Sequence, residues 1–458
     1  MKRAMSGRHW WEPTLRFPPN LGRDDHVSGP GPAGDMLHIA EHNLKRFFAE
    51  PMGPVAVECS PSYAQGPSVS ELLSLEPGAQ ERLLDLSLGH YTEDLGAGTG
   101  GLASAIASLY RGISPADVLV LSGVDAAIMD TLSALIAPGM NVLMQTPEYP
   151  PLRNVTAWRG ARITSWLPSY GEGDDPPADE DDPCICWWNV VDREYTGADV
   201  VIATIPHSPF GWTPDAEWLQ ALVQRTDQEQ QVLIVDEVYR GIDLTTDGSG
   251  VLPSACELSP RAVVVGGVAK TYGLTGLRIG WVICRDPVLR GRIETHALNG
   301  NTNVCAPTEL LGMIALKHTK TLHEKNSAIA RRNVDAVAAF VKRLDGLFHW
   351  VRPTAGLIAW LDWHGPGSAA ALAKSVLETE RILVADHTLF GWQTGSAGRC
   401  EDGQMLQGGL RLGLGPQDMP ERLAALEAAV RRYVKEHDVD DSSRGKKRPR
   451  EGVTPCNS

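Results

Sequence analysis

The chain has 458 residues, a length that favours two domains or one large α/β unit with a smaller companion. Its formal net charge of −14 argues against broad nucleic-acid binding, which depends on neutralising phosphates with lysine and arginine. Hydrophobic residues make up 43% and charged residues 21%, and no apolar run is long enough to span a bilayer. The composition therefore predicts a soluble protein that binds neither nucleic acid nor membrane.

The cysteines and the two ends of the chain indicate the cellular compartment of the protein. The eight cysteines are scattered without a C-x-x-C pair, so we expect reduced thiols and no metal site. The first residues lack the apolar core of a signal peptide, which favours the cytoplasm. The run "KKRPR" at 446–450 resembles a weak nuclear-import signal, although a solvated charge run is the simpler interpretation.

Short apolar runs alternate with helical patterns along most of the chain. Residues 36–49 have apolar side chains at helical spacing. The β-branched runs that follow include "DVLVLSG", "NVLMQTP", "DVVIATIP", "QVLIVDEVY" and "AVVVGGVAK", with helical stretches between them. The acidic, proline-containing run at 171–183 interrupts this order and is interpreted as a surface insertion. Apolar strands alternating with helices predict an α/β fold with a mostly parallel sheet covered on both faces.

The stretch "EDLGAGTGG" at 93–101 has a glycine frame, formed by Gly96, Gly98 and Gly101, that precedes a helical pattern. Such a frame binds a dinucleotide or S-adenosylmethionine when a buried strand comes before it, but polar residues precede this one. Asp125 follows the next apolar run at about the spacing expected for such a site. An S-adenosylmethionine methyltransferase therefore stays a remote alternative.

Four side chains with complementary chemistry come from the ends of predicted strands. A run of valines leads to Lys270, and Arg278 follows between glycines. Asp236 and Tyr239 emerge from "LIVDEVYRG", whereas Glu237 points to the opposite strand face and is interpreted as structural. Together they supply an amine, a cation for phosphate, a carboxylate and a phenol.

Five segments in chain order resemble the fold type I pyridoxal-phosphate enzymes, the aspartate aminotransferase superfamily. They are "SGVDAAIMDTLSALIAPGMNVLMQTPEYPPL" (122–152), "TIPHSPFGW" (204–212), "VDEVYRG" (235–241), "VVVGGVAKTYGLTGLRIGW" (263–281) and "GLRLGLG" (409–415). The order and spacing hold from about residue 85 to 430. The segment from 90 to 110 is similar to the tyrosine and glycine-rich segment of this superfamily, so its glycines are a lookalike of a nucleotide loop.

The resemblance implies roles for the residues around the cofactor ring. Lys270 would hold pyridoxal phosphate as a Schiff base and then move the proton of the substrate Cα. Asp236 would pair with the pyridinium nitrogen, and Tyr239 would hydrogen-bond the phenolic oxygen of the ring. Tyr149 would stack on the ring face. Ser208 would also bind near the ring oxygen, although an asparagine is usual at its position.

The same resemblance implies how phosphate and substrate are held. The backbone amides of Gly123, Val124 and Asp125 would bind the phosphate together with the Arg278 side chain. Tyr91 would reach the phosphate of the partner subunit in a homodimer with shared active sites.

Two other positions concern substrate binding and a further difference from the usual superfamily sequence. Arg411 would grip the α-carboxylate of an amino acid. Gly267 stands where the superfamily usually has a phosphate-binding serine, which implies a weaker phosphate site or compensation from Thr302 or Asn303.

The resemblance also divides the chain. It implies a seven-stranded-type, mostly parallel sheet in a large cofactor-binding domain, with a smaller α/β domain beside it. The predicted parts are an irregular extension at 1–35, a small domain at 36–86 and 340–436, a large domain at 87–339, and a disordered charged tail at 437–458.

The predicted function is a cytoplasmic, homodimeric aminotransferase acting on an α-amino acid and a 2-oxo acid. The branch that this chain resembles also includes capreomycidine-synthase-like enzymes. A cyclase, a lyase or replacement enzyme, or an oxidase of specialised metabolism on the same cofactor therefore stays an alternative. A non-catalytic interaction protein on an inherited fold is less favoured, because Lys270, Asp236, Tyr239, Arg278 and Arg411 are all present.

Overall fold

The computed structural model of the chain describes residues 39–89, 101–170, 185–186, 197–300, 303–391 and 408–443, except positions 50, 52, 168, 246, 247 and 249. Within these ranges the helices are α1 Asn43–Ala49, α2 Val69–Leu73, α3 Ala79–Leu84, α4 Gly101–Ala107, α5 Val124–Leu135, α6 Pro150–Trp158, α7 Ala216–Gln228, α8 Ala255–Leu258, α9 Pro287–Ala297, α10 Ala306–Lys317, α11 Thr319–Arg343, α12 Ala369–Glu380 and α13 Met419–Ser443. The strands are β1 Val57–Glu58, β2 Val118–Leu121, β3 Asn141–Gln145, β4 Arg162–Trp166, β5 Ser169–Tyr170, β6 Ile185–Cys186, β7 Val200–Thr204, β8 Val232–Asp236, β9 Val263–Gly267, β10 Gly280–Ile283, β11 Phe348–Trp350, β12 Ile358–Trp363, β13 Ile382–Leu383, β14 Ala385–Asp386 and β15 Gly409–Gly413.

A seven-stranded sheet lies at the centre, with the strand order β2-β10-β9-β8-β7-β3-β4. The pairs β9-β8, β8-β7, β7-β3 and β3-β4 are parallel, and β10 runs antiparallel to both of its neighbours. Every residue of β7, β8, β9 and β10 is buried, so both faces of these strands are covered. The structure confirms the predicted α/β fold with a mostly parallel sheet.

The direction of these strands sets where chemistry can take place. The segments that follow β2, β3, β7, β8 and β9 leave the sheet at the same edge, because these strands run in one direction. Ligands of open α/β sheets bind at such a carboxyl edge, where loops are free to turn. The central sheet therefore brings together side chains that are far apart in the sequence.

A second, antiparallel sheet of four strands forms in the C-terminal part, in the order β11-β12-β15-β14. The short strand β1 pairs in parallel with β13, so Val57 lies opposite Ile382 and Glu58 opposite Leu383. The next residue is held in the same way, because the Cys59 carbonyl accepts a hydrogen bond of 2.8 Å from the Gly413 N–H. The N-terminal segment is thereby fastened to the C-terminal sheet, while the predicted domain boundaries stay a prediction.

Two helix boundaries differ from the sequence prediction. Helix α1 begins at Asn43 rather than at 36, because the His42 carbonyl accepts the first hydrogen bonds, from the backbone N–H groups of Lys45 and Arg46. The last helix continues to Ser443, past position 436, where the small domain was expected to end. The predicted insertion at 171–183 lies outside the described residues. No described helix combines the length and apolar character needed to cross a membrane.

The contact between β10 and the loop before α5 gives a stability prediction. A Cβ added at Gly280 would overlap the backbone of Gly123 and Val124, so Gly280→Ala forces a backbone shift in a packed region. We expect a loss of about 1–3 kcal/mol in the free energy of unfolding, measured by urea denaturation. The control is Gly291→Ala, which lies inside α9 with open space around its Cβ position. It should be neutral or stabilising by about 0.5–1 kcal/mol, and equal midpoints for the two variants would contradict the packing argument.

Candidate active site

A cavity opens at the carboxyl edge of the central sheet. It contains about 690 Å³ of space not filled by protein atoms, including its mouth toward solvent. Most of the residues predicted from the sequence line it, namely Val124, Asp125, Tyr149, Ser208, Asp236, Tyr239, Lys270, Arg278 and Arg411. The lining that the sequence did not predict consists of Leu44, Ser62, Val238, Ala269 and Thr275.

Lys270 lies in the turn just after β9, and its amine points to a serine from the N-terminal segment. The Lys270 Nζ donates a hydrogen bond of 2.9 Å to the Ser62 Oγ. Burial lowers the pKa of Lys270 to about 8, and the nearby Arg411 guanidinium acts in the same direction. A neutral amine is therefore accessible at mildly alkaline pH, as nucleophilic attack on an aldehyde requires.

Asp236 is the last residue of β8 and is almost completely buried. Its Oδ1 accepts a hydrogen bond of 3.0 Å from the Val238 N–H. Burial nevertheless raises the pKa of this carboxyl to about 7, because a charge is poorly solvated there. A cationic ring nitrogen placed beside Asp236 would restore the ionised form, which is the role that the resemblance implies.

The start of α5 forms a candidate anion site. Gly123 precedes the helix with a φ of 98°, and a side chain here would overlap the guanidinium of Arg278. The Gly123 N–H donates to the Leu121 carbonyl at 2.7 Å, so this amide, predicted to bind phosphate, is engaged within the loop. The first-turn amides of Val124 and Asp125 remain for an anion, since such amides have no acceptor within their own helix.

Arg278 completes the anion site from the other side. Its side chain is 51% exposed, and its Nη2 lies 3.5 Å from the Asp125 Oδ2. The backbone of Arg278 has a φ of 53°, a left-handed conformation that turns the chain immediately before β10. A phosphate bound here would meet both the guanidinium and the positive end of the α5 dipole.

The structure gives a physical reason for the glycine at 267. A Cβ at Gly267 would overlap the side chain of Val124 and the carbonyl of Ile279. A serine in this position would therefore need Val124 to move, and the two positions fit each other as they stand. Asn303 contributes its carbonyl, which the Ser122 Oγ approaches at 3.5 Å, whereas Thr302 lies outside the described residues.

Tyr149 caps the N-terminus of α6 and takes part in a hydrogen-bonded chain. Its hydroxyl donates to the Asp125 Oδ1 at 2.8 Å and lies 2.9 Å from the His42 Nε2. The rings of His42 and Tyr149 meet edge to face, with centroids 5.2 Å apart. Tyr149 is thus held from two sides with its ring at the cavity, in a position suited to covering a flat cofactor.

Ser208 and Tyr239 form a small cluster of hydroxyl groups with Ser62. The Tyr239 hydroxyl donates to the Ser62 carbonyl at 3.1 Å and is also hydrogen-bonded to the Ser208 side chain. The neighbouring His207 is completely buried and stacks on Phe210 at 5.3 Å, and burial lowers the pKa of His207 to about 3. His207 is therefore a neutral, buried residue, and its ring packs against Phe210.

Arg411 lies on β15 and is only 2% exposed. Its Nη2 donates to the Ser60 carbonyl at 2.8 Å, and the rings of Phe390 and Phe48 lie 5.0 and 5.8 Å from the guanidinium carbon. The Arg411 Nε is buried and has no hydrogen-bond partner among the described residues. A buried guanidinium with an unused donor fits a substrate carboxylate.

Several residues outside the predicted cavity lining complete the comparison with the sequence. Glu237 faces away from the cavity, and its Oε1 accepts hydrogen bonds from the Ser254 hydroxyl and the Ala255 N–H, which agrees with a structural role. Tyr91 and most of the glycine frame lie outside the described residues. Ser62 and His42 were missed, because they belong to a segment without a recognised motif.

The cavity residues fit pyridoxal phosphate. A buried carboxyl, a buried amine of lowered pKa and an anion site at a helix start lie around one space. Lys270 would hold the aldehyde carbon, Asp236 the ring nitrogen, and the start of α5 with Arg278 the phosphate.

The Lys270–Ser62 contact predicts an effect on the amine. Ser62→Ala should lower the pKa of Lys270 further, because it removes an acceptor that favours the ammonium form. The measurement is the pH dependence of the rate at which pyridoxal phosphate reacts with Lys270, followed by absorbance. Its midpoint should move to lower pH in Ser62→Ala but not in Ser62→Thr, which keeps the hydroxyl. A midpoint that stays in place in both variants would show that the contact does not affect the amine.

The Asp236 pKa predicts a pH-dependent stability of the cofactor-free protein. The folded-state value is about 7 against an ordinary value of 3.8, so the stability from this group is complete below 3.8 and is lost as pH rises to about 7. The melting temperature of Asp236→Asn minus that of the unsubstituted protein should therefore increase as pH rises toward 7. Above pH 7 this difference should stay constant. Thermal unfolding of both proteins across this range is the measurement, and a difference that is constant below pH 7 as well would contradict the prediction.

Comparison with known proteins places this site in a family. The profile of the family "Aminotransferase class I and II" matches residues 97–403. The valine–pyruvate aminotransferase of Mycobacterium tuberculosis is 29% identical over 237 residues, which is 51% of this chain and 57% of the relative. Capreomycidine synthase of Streptomyces vinaceus is 23% identical over 366 residues, 80% of this chain and 90% of the relative. The chain spans less than two thirds of the first curated relatives that it matches, 57% and 64% of their lengths.

Solved structures share the fold. A PLP-dependent aminotransferase from Streptococcus suis superposes with a TM-score of 0.72 at 19% identity, covering 86% of this chain and 98% of that one. The PLP-dependent cyclase OrfR superposes with a TM-score of 0.70 at 24% identity, covering 87% and 97%. The family match covers more than half of the chain and confirms the resemblance. The chain belongs to the class I and II aminotransferases, and its cofactor is pyridoxal phosphate.

Proposed function

We propose that this protein transfers the amino group of an α-amino acid to a 2-oxo acid. The observation that carries the proposal is that Lys270, the buried Asp236 and the buried Arg411 line one cavity. Transamination needs a lysine, a partner for the ring nitrogen and a carboxylate receptor in this arrangement.

Lys270 is the proposed proton carrier. Pyridoxal phosphate, when bound, supplies an electron sink for the charge that develops at the substrate Cα. The Lys270 Nζ would take the proton from the substrate Cα and deliver it to the carbon of the cofactor aldehyde group, a role suited to an amine of pKa about 8. The Ser62 Oγ, 2.9 Å away, holds the amine when it is free.

Asp236 and the hydroxyl groups of Tyr239 and Ser208 would set the charge distribution of the cofactor ring. The Asp236 carboxylate would keep the ring nitrogen protonated, and burial would strengthen this pairing because the interior screens charge weakly. The hydroxyl groups of Tyr239 and Ser208 are hydrogen-bonded to each other and would bind the phenolic oxygen.

Arg411 selects amino acids by their α-carboxylate. It is held by Ser60 and flanked by the rings of Phe48 and Phe390, so its guanidinium is fixed before the substrate arrives. A preorganised receptor loses little entropy on binding, which favours selection of carboxylates over simple amines.

A cytoplasmic homodimer is the proposed assembly. Asp125 and Arg278 are 38% and 51% exposed, so the phosphate side of the cavity is open enough for a second subunit to contribute a side chain. Tyr91 of the partner is the residue that we propose for this contact.

A cyclase is the second candidate. Capreomycidine synthase of Streptomyces vinaceus matches over 80% of this chain, a longer stretch than the 51% matched by the valine–pyruvate aminotransferase. A cyclase would release product without a 2-oxo acid, and the same cavity residues would serve it.

The visible absorption of the protein with bound pyridoxal phosphate tests the proposal. One amino acid of a panel should bleach the band, and a 2-oxo acid should restore it, because the amino group is passed through the cofactor. Lys270→Ala is the control and should lose catalysis by several orders of magnitude. Product release without any oxo acid would favour the cyclase, and the absence of a response to every amino acid would contradict both functions.

A further inference from the structure

Helix α1 forms one wall of the cavity beside the carboxylate receptor. Leu44 is buried and lines the cavity directly. The ring of Phe48, one helical turn further, lies 5.8 Å from the guanidinium carbon of Arg411. Leu44 therefore borders the cavity, and Phe48 borders the guanidinium that we propose to bind the substrate carboxylate.

Two sets of hydrogen bonds join this wall to the cofactor side of the cavity. The Asn154 Nδ2, on α6, donates to the carbonyls of Ala40 at 3.2 Å and Glu41 at 3.1 Å. The second set is the contact of 2.9 Å between the His42 Nε2 and the Tyr149 hydroxyl. Both sets join the residues just before α1 to α6 or to its N-cap.

The hydrogen-bond directions at His42 are fixed by its neighbours. The Lys45 N–H donates to the His42 Nδ1 at 3.3 Å, so Nδ1 carries no proton. The Tyr149 hydroxyl donates its proton to the Asp125 Oδ1, so it can only accept a hydrogen bond from His42. His42 therefore donates through Nε2–H, and burial, which lowers its pKa, favours this neutral form.

The chain of hydrogen bonds ends in the anion site. Asp125 is in the first turn of α5, and its Oδ2 lies 3.5 Å from Arg278. A continuous path thus runs from the backbone of α1 through His42, Tyr149 and Asp125 to the proposed phosphate site. The wall on the substrate side and the cofactor contacts share one hydrogen-bonded element.

We propose that His42 is a positioning residue, which fastens α1 to Tyr149 and so sets Leu44 and Phe48 as determinants of substrate specificity beside Arg411. The proposal rests on the function proposed above. It assigns the substrate-side wall to a segment outside the family motifs, and it predicts that loosening this wall weakens amino-acid binding more than it slows the chemistry at Lys270.

Steady-state kinetics of His42→Ala on the holoenzyme tests the binding effect. We expect the KM for the amino acid to rise about tenfold, which corresponds to about 1.4 kcal/mol for the loss of one partly buried hydrogen bond, with kcat changed by less than about threefold. His42→Gln, whose amide can donate from near the Nε2 position, should restore most of the KM. His364→Ala, an exposed histidine far along the chain, is the matched control and should leave both constants unchanged.

Limited trypsin digestion of the holoenzyme gives a readout that needs no turnover. Freeing α1 exposes the bonds after Lys45 and Arg46, so His42→Ala should be cut there faster, with fragments identified by mass. His42→Gln and His364→Ala should resemble the unsubstituted protein.

Unchanged KM and unchanged cleavage in His42→Ala would overturn the proposal. Equal loss in His42→Ala and His42→Gln would also overturn it, because the donated hydrogen bond would then not be the cause. If no amino acid is transaminated, the proposed function fails, but the digestion still decides whether His42 holds α1.

Discussion

The burial of two ionisable groups at the end of one sheet is the constraint on which the site depends. Asp236 and Lys270 emerge from adjacent buried strands, and both are shifted toward their neutral forms, with pKa values of about 7 and about 8. Moving a charged group out of water is costly, so without a cofactor the protein solvates the charged forms of both groups poorly. A cofactor with a basic ring nitrogen and an aldehyde relieves both, because one group gains a cationic partner and the other becomes covalently bound.

The rest of the cavity depends on joining the two ends of the chain. The pairing of β1 with β13 brings Ser60 and Ser62 from the N-terminal segment against the C-terminal sheet. The Ser60 hydroxyl is then used twice, since it accepts from the Ala385 N–H at 2.8 Å and donates to the Arg411 carbonyl at 2.6 Å. Arg411 and Lys270 thus meet their serine partners only after this segment has docked, so the proposed substrate binding relies on a contact between distant parts of the sequence.

The fold and the sheet-edge residues could be predicted from the sequence, whereas the side-chain contacts of the segment at 39–62 could not. Lys270 and Asp236 end or follow apolar strands, where a strand pattern and a motif occur together. Ser62 and His42 have no such pattern, because a parallel pairing of two residues and a single side-chain contact hold them. The sequence also could not show that the Gly123 N–H is already hydrogen-bonded to the Leu121 carbonyl, since this bond depends on the geometry of one turn.

The proposed chemistry and the proposed specificity of this site come from different elements. The sheet supplies Lys270 and Asp236, whose positions are fixed by buried strands and are hard to alter without loss of the fold. Helix α1 supplies Leu44 and Phe48, and it is joined to the cofactor side through His42 and Asn154. A wall held by few contacts can change its side chains or its distance from Arg411 while the reacting groups stay in place. Relatives that share the cofactor residues but differ in reaction, as aminotransferases and cyclases do, are therefore expected to differ most in this wall.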